Sequence, residues 1–287
     1  MWIILAFLSS FFAGITSILA KCGIRKTDST VATAIRTIVV LLSSILMTAI
    51  VGSFSQITLI SSKSLLFLIL SGISAGASWL CYYKALQQGD VNKVVPIDKS
   101  STILTMVLAF IFLGEKITPL SFIAIILIAL GTFMMIEKKE GVSSDTTGKS
   151  WLIYAIFSAI FASLTTILAK IGIENVESNL ATTIRTFVVL IMSWLMVIIA
   201  RKGKLLKNLD KKELLFICVS GLSTGASWLC YYKALQDGRA SIVVPIDKLS
   251  IIISIAFSYI VFKEKLSKRS FIGLIAIIAG TILMIVI

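Results

Sequence analysis

Residues 76–100 read GASWLCYYKALQQGDVNKVVPIDKS, and residues 225–250 read GASWLCYYKALQDGRASIVVPIDKLS. Each copy sets Lys84, Asp98 and Lys99, or Lys233, Asp247 and Lys248, into an otherwise apolar neighbourhood. The correspondence extends outward at a constant offset of 149. Trp2 matches Trp151, Lys21 matches Lys170 and Arg36 matches Arg185; Pro96 matches Pro245, Glu115 matches Glu264 and Gly131 matches Gly280. Self-similarity over half a chain, without a gap, means a duplicated unit.

The unit belongs in a membrane. The 287 residues are 57% hydrophobic, with a mean hydropathy of +1.01, more apolar surface than a soluble domain can hide. Crossing a bilayer as a helix takes about 18 or more apolar residues. Five such stretches fall in each half: 2–20, 30–51, 65–87, 92–112 and 118–136, then 151–169, 179–200, 213–236, 241–261 and 268–286. The polar run EKKEGVSSDTTGKS at 137–150 reads as a linker between repeats at 1–136 and 151–287. Residues 2–20 lack a basic n-region and recur at 151–169, so they read as a first span rather than a removable signal. The expected fold is an all-α integral membrane protein of ten transmembrane helices in two five-helix repeats.

Five is odd, so the second repeat must enter the membrane the other way up. Loop charge tests this. With a cytoplasmic linker, the same-side loops hold sixteen basic residues: Arg25, Lys26, Lys93, Lys138, Lys139, Lys149, Arg201, Lys202, Lys204, Lys207, Lys211, Lys212, Lys263, Lys265, Lys268 and Arg269. The opposite loops hold three, Lys63, Lys116 and Arg239. That bias expects both termini outside the cytoplasm, in a multi-pass inner (plasma) membrane protein. Equivalent loops also exchange charge: Gly52, Ser53, Ser55 and Thr58 become Arg201, Lys202, Lys204 and Lys207. Repeated helices with inverted loop charge are the pattern of an inverted-topology repeat. The net charge of +13 is thereby a topology signal, and no nucleic-acid partner is expected.

Order, spacing and duplication of short motifs give a resemblance over nearly the whole chain. They are Tyr83-Lys84-Ala85-Leu86, Val94-Val95-Pro96, Leu113-Gly114-Glu115-Lys116-Ile117-Thr118 and Gly131, echoed by Val243-Val244-Pro245, Phe262-Lys263-Glu264-Lys265-Leu266 and Gly280. In these the chain resembles the ten-span, EamA-type members of the drug/metabolite transporter superfamily, with Lys263 departing from Gly114. The resemblance implies a secondary transporter with a central cavity and alternating access. Small multidrug exporters of that superfamily use an acidic residue in the first span. Here that span offers Ser9, Ser10, Thr16 and Ser17, and its copy Ser158, Ser163, Thr165 and Thr166, which argues against that chemistry.

Charges within spans cost about 2.5–3.5 kcal/mol each at mid-bilayer on insertion scales, so they face a bundle interior or water. Six such positions are cationic (Arg36, Lys84, Lys99, Arg185, Lys233, Lys248) and two anionic (Asp98, Asp247). Sequence neighbours on a helix point about 100° apart, so Asp98 and Lys99 meet different helices. Arg36 or Lys84 is the expected partner of Asp98, and Arg185 or Lys233 of Asp247, as register-fixing ion pairs, gates or ligand contacts. Pro96 and Pro245 lack an amide donor and mark a first-turn proline or a helix kink. Trp79 with Tyr83, and Trp228 with Tyr232, share helix faces; Tyr82 and Tyr231 lie on another. They serve as packing or as a cavity wall. Gly72, Gly76, Gly221 and Gly225 permit close helix approach.

The excess of positive charge favours an anionic or zwitterionic solute such as an organic acid or amino acid. The alternatives are a small organic cation such as a quaternary amine, or a non-transporting membrane binding or assembly subunit. No nucleophile–base pair, metal spacing or nucleotide motif is present. No enzyme activity, metal or cofactor is therefore expected. The partners are a small-molecule solute and the lipid bilayer. A coupling ion, and monomer against homodimer, stay open.

Overall fold

A computed structural model of the chain describes residues 1–24, 27–88, 94, 97–135, 150–262 and 267–286. Those residues are helices joined by short turns, with no strand among them. The helices are α1 (Trp2–Gly23), α2 (Ser29–Val51), α3 (Ser62–Gln88), α4 (Ser101–Phe112), α5 (Pro119–Met134), α6 (Ser150–Gly172), α7 (Ser178–Ile199), α8 (Lys211–Asp237), α9 (Ala240–Lys248), α10 (Ser250–Phe262) and α11 (Lys268–Val286). Among the described residues, eight segments are long and apolar enough to cross a membrane, and Pro119–Met134 is a shorter apolar helix. Pro96, residues 137–149 of the linker, and Glu264 lie outside the described residues.

Helix ends follow local chemistry, and the chemistry repeats. Asp28 caps α2 by accepting from the Thr30 and Val31 amides at 2.9 and 3.4 Å. Its counterpart Glu177 caps α7 from Asn179 and Leu180 at 2.9 and 3.0 Å. Thr118 accepts from the Ser121 amide at 3.1 Å, as Ser267 does from Ser270 at 3.2 Å. Such caps satisfy amides that the first turn leaves unpaired.

Packing joins one half of the chain to the other. α1 lies along α8 and α6 along α3; α2 also meets α8, as α7 meets α3; α1 touches α10 as α6 touches α4. The remaining large contacts, α2 with α7 and α5 with α11, map onto themselves under the 149-residue shift. Glycines set the crossings, as expected. A Cβ on Gly72 would stand 2.7 Å from Val188 Cβ and 3.1 Å from the Arg185 carbonyl. A Cβ on Gly221 would meet Val39 and the Arg36 carbonyl at the same two distances. Small residues at such crossings let backbones approach.

The span expected at 241–261 is present, with Ala240–Phe257 long and apolar enough to cross, and its helix ladder is interrupted at Leu249, between α9 and α10. The Leu249 amide donates to Ile246 at 3.0 Å and the Ile252 amide to Leu249 at 2.9 Å, both three residues back. Ser100, 149 residues earlier, does the same: its amide reaches the Ile97 carbonyl at 3.2 Å and its hydroxyl reaches that carbonyl at 2.6 Å. Pro245 lies inside α9, beyond its first turn. It cannot donate to Ser241, but the helix tolerates this and tightens four residues later.

Candidate functional site

Helices α1, α3, α6, α7, α8 and α9 line a partly open cavity of about 350 Å³, at the lower end of the range for small-molecule sites. Arg185 of α7 is its central charge, 3% exposed. Its Nε donates to Ser71 Oγ at 3.0 Å, and the Ser71 hydroxyl donates to the Thr165 carbonyl at 2.7 Å. The guanidinium carbon stands 5.1 Å from the Trp228 ring centroid and 4.8 Å from that of Tyr232. Nη1 is buried without a hydrogen-bond partner. Gly72, beside Ser71, is what lets α3 reach the Arg185 turn. Ring contacts of this kind are worth roughly 0.5–2 kcal/mol, against a penalty of several kcal/mol for a buried ion. The protein alone leaves this cation under-compensated.

Both aspartates are met by serine hydroxyls from the other half of the chain. Asp247 accepts from the Ser9 hydroxyl of α1 at 2.6 Å, and Ser227 of α8 donates to the Ser9 carbonyl at 3.1 Å. Asp98 accepts from the Ser158 hydroxyl of α6 at 2.7 Å, and Ser78 of α3 donates to the Ser158 carbonyl at 3.0 Å. The two constellations are copies at the 149-residue offset. Among the described residues no ion pair joins Asp247 to Arg185 or Lys233. Arg185 is turned onto the rings, and Lys233 is exposed and paired with Asp237 at 3.0 Å. Arg36 is half-buried on α2, where Gly221 approaches its carbonyl.

The other candidates divide. Trp79, Trp228, Tyr231, Tyr232, Asp247 and Lys248 line the cavity with Arg185. Tyr231 and Tyr232 meet edge to face with centroids 5.2 Å apart, and the Tyr231 hydroxyl lies 3.3 Å from Thr166 Oγ1. Lys248 is close enough for its charge to act on Lys99, and both are exposed. Tyr82 packs instead against a buried cluster of Ala85, Val94 and Ala155, as Trp151 and Tyr154 do, and Lys84 is exposed. The Tyr83 side chain lies outside the description. Sequence reasoning passed over Ser9, Ser158, Ser71 and Ser78 as site residues. The signal for the first two was available: a serine in the first span of each half, in register.

Beyond the cavity, α8 and α9 are pinned from the other elements. Lys170 of α6 donates to the carbonyls of Leu235, Gln236 and Gly238. Gln236 donates to the Ile173 and Val176 carbonyls, both at 2.7 Å. Glu115 accepts from the Ala240 and Ser241 amides at 2.6 and 3.0 Å and from the Ser241 hydroxyl. α9 has no side-chain cap of its own; Glu115 supplies it from the other half.

Known proteins place this architecture. The EamA-like transporter family matches residues 1–137 and 149–286. An uncharacterized transporter in the cobO 3' region of a Sinorhizobium species is 41% identical over 140 residues, 48% of this chain and 98% of that protein. Human solute carrier family 35 member G1 is 26% identical over 229 residues, covering 76% of this chain and 61% of that protein. A solved crystal structure shares the fold at 12% identity, with a TM-score of 0.79 over 99% of this chain and 96% of that one. With its matches covering both halves around this cavity, this multi-pass membrane chain belongs to the EamA-like transporter family.

Proposed function

We propose that the chain is a secondary-active transporter that moves a small anionic or zwitterionic metabolite by alternating access through the Arg185 cavity. The carrying observation is charge. Arg185 and Lys248 line the cavity against one carboxylate, Asp247, which is already engaged by Ser9. The organic-cation reading is weaker, because the Trp228 and Tyr232 faces that would cage a cation are occupied by the guanidinium.

The two repeats run through the inner (plasma) membrane in opposite directions, with both termini outside. Contacts between loops support this alongside the loop charges. Lys202, after α7, binds Asp28, between α1 and α2, at 2.8 Å, and Glu213 accepts from Thr27 at 2.8 Å. Glu115, after α4, caps the start of α9. Were the halves parallel, each of these pairs would be split between opposite membrane faces. The Pro-Ile-Asp-Lys clusters act as paired gates. Ser9–Asp247 and Ser158–Asp98 each tie one half to the other, and opening them in turn would expose the cavity alternately.

Reconstituted protein tests this by uptake and exchange of radiolabelled organic acids and amino acids in proteoliposomes. Asp98→Asn and Asp247→Asn are expected to cut flux at least tenfold with insertion unchanged. Wild-type flux in both variants would remove the gate assignment. No flux of any solute in correctly inserted protein would leave a binding or assembly subunit.

A further inference from the structure

We propose that Arg185 is the ligand-contacting residue of the cavity and that the group it takes is the carboxylate of a small monocarboxylate. This deepens the transport reading and rests on it for the purpose of the cavity. The first ground is the orphaned Nη1. Buried polar groups are almost always hydrogen-bonded, and elsewhere in this molecule charged groups at helix ends are matched: Lys170 reaches three carbonyls and Glu115 three donors. Arg185 has no such match, and it is a residue that lines the cavity.

The second ground is orientation. Ser71 fixes Nε, and Ser71 is itself held by the Thr165 carbonyl, while two rings lie within 5.1 Å of the guanidinium carbon. The guanidinium is thereby held with a nitrogen to spare, and a planar two-oxygen anion matches its fork. The third ground is charge balance. Among the described residues two cations and one carboxylate line the cavity, so one negative charge neutralises it, whereas a dianionic phosphate ester overshoots. Ala13, Ala75 and Ala162 on the lining leave room for a short apolar remainder.

The test uses full-length protein in lipid nanodiscs, with intrinsic tryptophan fluorescence reporting on Trp79 and Trp228. The probes are straight-chain and phenyl-substituted monocarboxylates of two to ten carbons, their neutral amides, their amine analogues and methyl phosphate. At least one carboxylate is expected to bind saturably, with its amide and amine at least tenfold weaker and methyl phosphate weaker as well. Arg185→Lys, which keeps the charge and loses the fork, is expected to weaken that carboxylate about tenfold, and Arg185→Gln to abolish binding. An amide or methyl phosphate that binds as tightly as the carboxylate overturns the assignment. So does unchanged affinity in Arg185→Lys, or no binding by any carboxylate. Should Arg185 variants fail to fold, the wild-type carboxylate-to-amide ratio and the Ser71→Ala variant, expected to weaken the carboxylate at least threefold, decide the matter. Flux separates this proposal from the transport reading. Arg185-dependent carboxylate binding without flux removes transport and keeps the contact. Flux that the amide supports equally keeps transport and removes the contact.

Discussion

Within three turns of α8 the chain treats charge in two ways. At its C-terminal end Lys170 is met by three carbonyls, and Glu115 binds the first amides of α9. One to two turns earlier, Trp228 and Tyr232 lie against Arg185, whose single hydrogen bond among the described residues goes to Ser71. The first region uses charge to hold backbone ends that would otherwise be unpaired. The second accepts an uncompensated cation at a cost. Matched charges secure the bundle, and the unmatched one marks where a partner is still to arrive.

Stability measurements on purified protein can break this contrast. The largest loss is expected from Glu115→Ala, which strips two amides and a hydroxyl of their acceptor; roughly 2–3 kcal/mol should disappear in thermal or denaturant unfolding. Lys170→Met follows, at about 1.5–3 kcal/mol, because three carbonyls lose a charged donor. A double-mutant cycle should show the two changes to be non-additive, since Lys170 and Glu115 also feel each other's charge.

A smaller effect belongs to Asp28. Burial alone would raise its pKa, but the Lys202 hydrogen bond and the Thr30 and Val31 amides outweigh it and hold the carboxyl below its usual 3.8. A folded-state pKa below the unfolded one stabilises at pH above the ordinary carboxylate range, and that stability drains away as pH falls through the folded value. Lys202→Gln should remove part of the acid dependence between about pH 5 and pH 2, with a cost near neutrality of under about 1 kcal/mol for so accessible a pair. The smallest change is expected from Arg185→Met: within about 1 kcal/mol of wild type, in either direction, because an unmatched buried charge is exchanged for packing. A loss there as large as that of Lys170→Met would erase the distinction between the two regions.

Much of this architecture was legible in the chain. The apolar runs anticipated eight membrane-length segments, and Gly72 and Gly221 anticipated two crossings. Trp79, Trp228, Tyr231, Tyr232, Asp247, Lys248 and Arg185 were singled out and meet at one cavity. The partners of the aspartates were not legible. Charge pairing is the strongest interaction that sequence suggests, so cations were matched with anions. Which helix lies across the gap is a property of packing, and α1 and α6 bring Ser9 and Ser158 there instead. Tyr82 and Tyr231 occupy equivalent positions and yet only Tyr231 lines the cavity, a difference that no offset in the sequence contains. The prolines flagged a weakened ladder but not its place, because the break occurs where the Leu249 and Ser100 amides donate to carbonyls only three residues back.

The cross-packing of the halves has a consequence for assembly. Among the described residues, α1, α2, α3 and α5 find their main neighbours in α8, α7, α6 and α11, all made in the second half of the chain. A half-finished chain therefore has spans in the bilayer with little of their own to close upon. Helices insert first, and the packed bundle must wait for the second repeat to leave the ribosome. During that interval Arg36 and Asp98 have no second half to meet them, and the lipid and its water defects must carry that load.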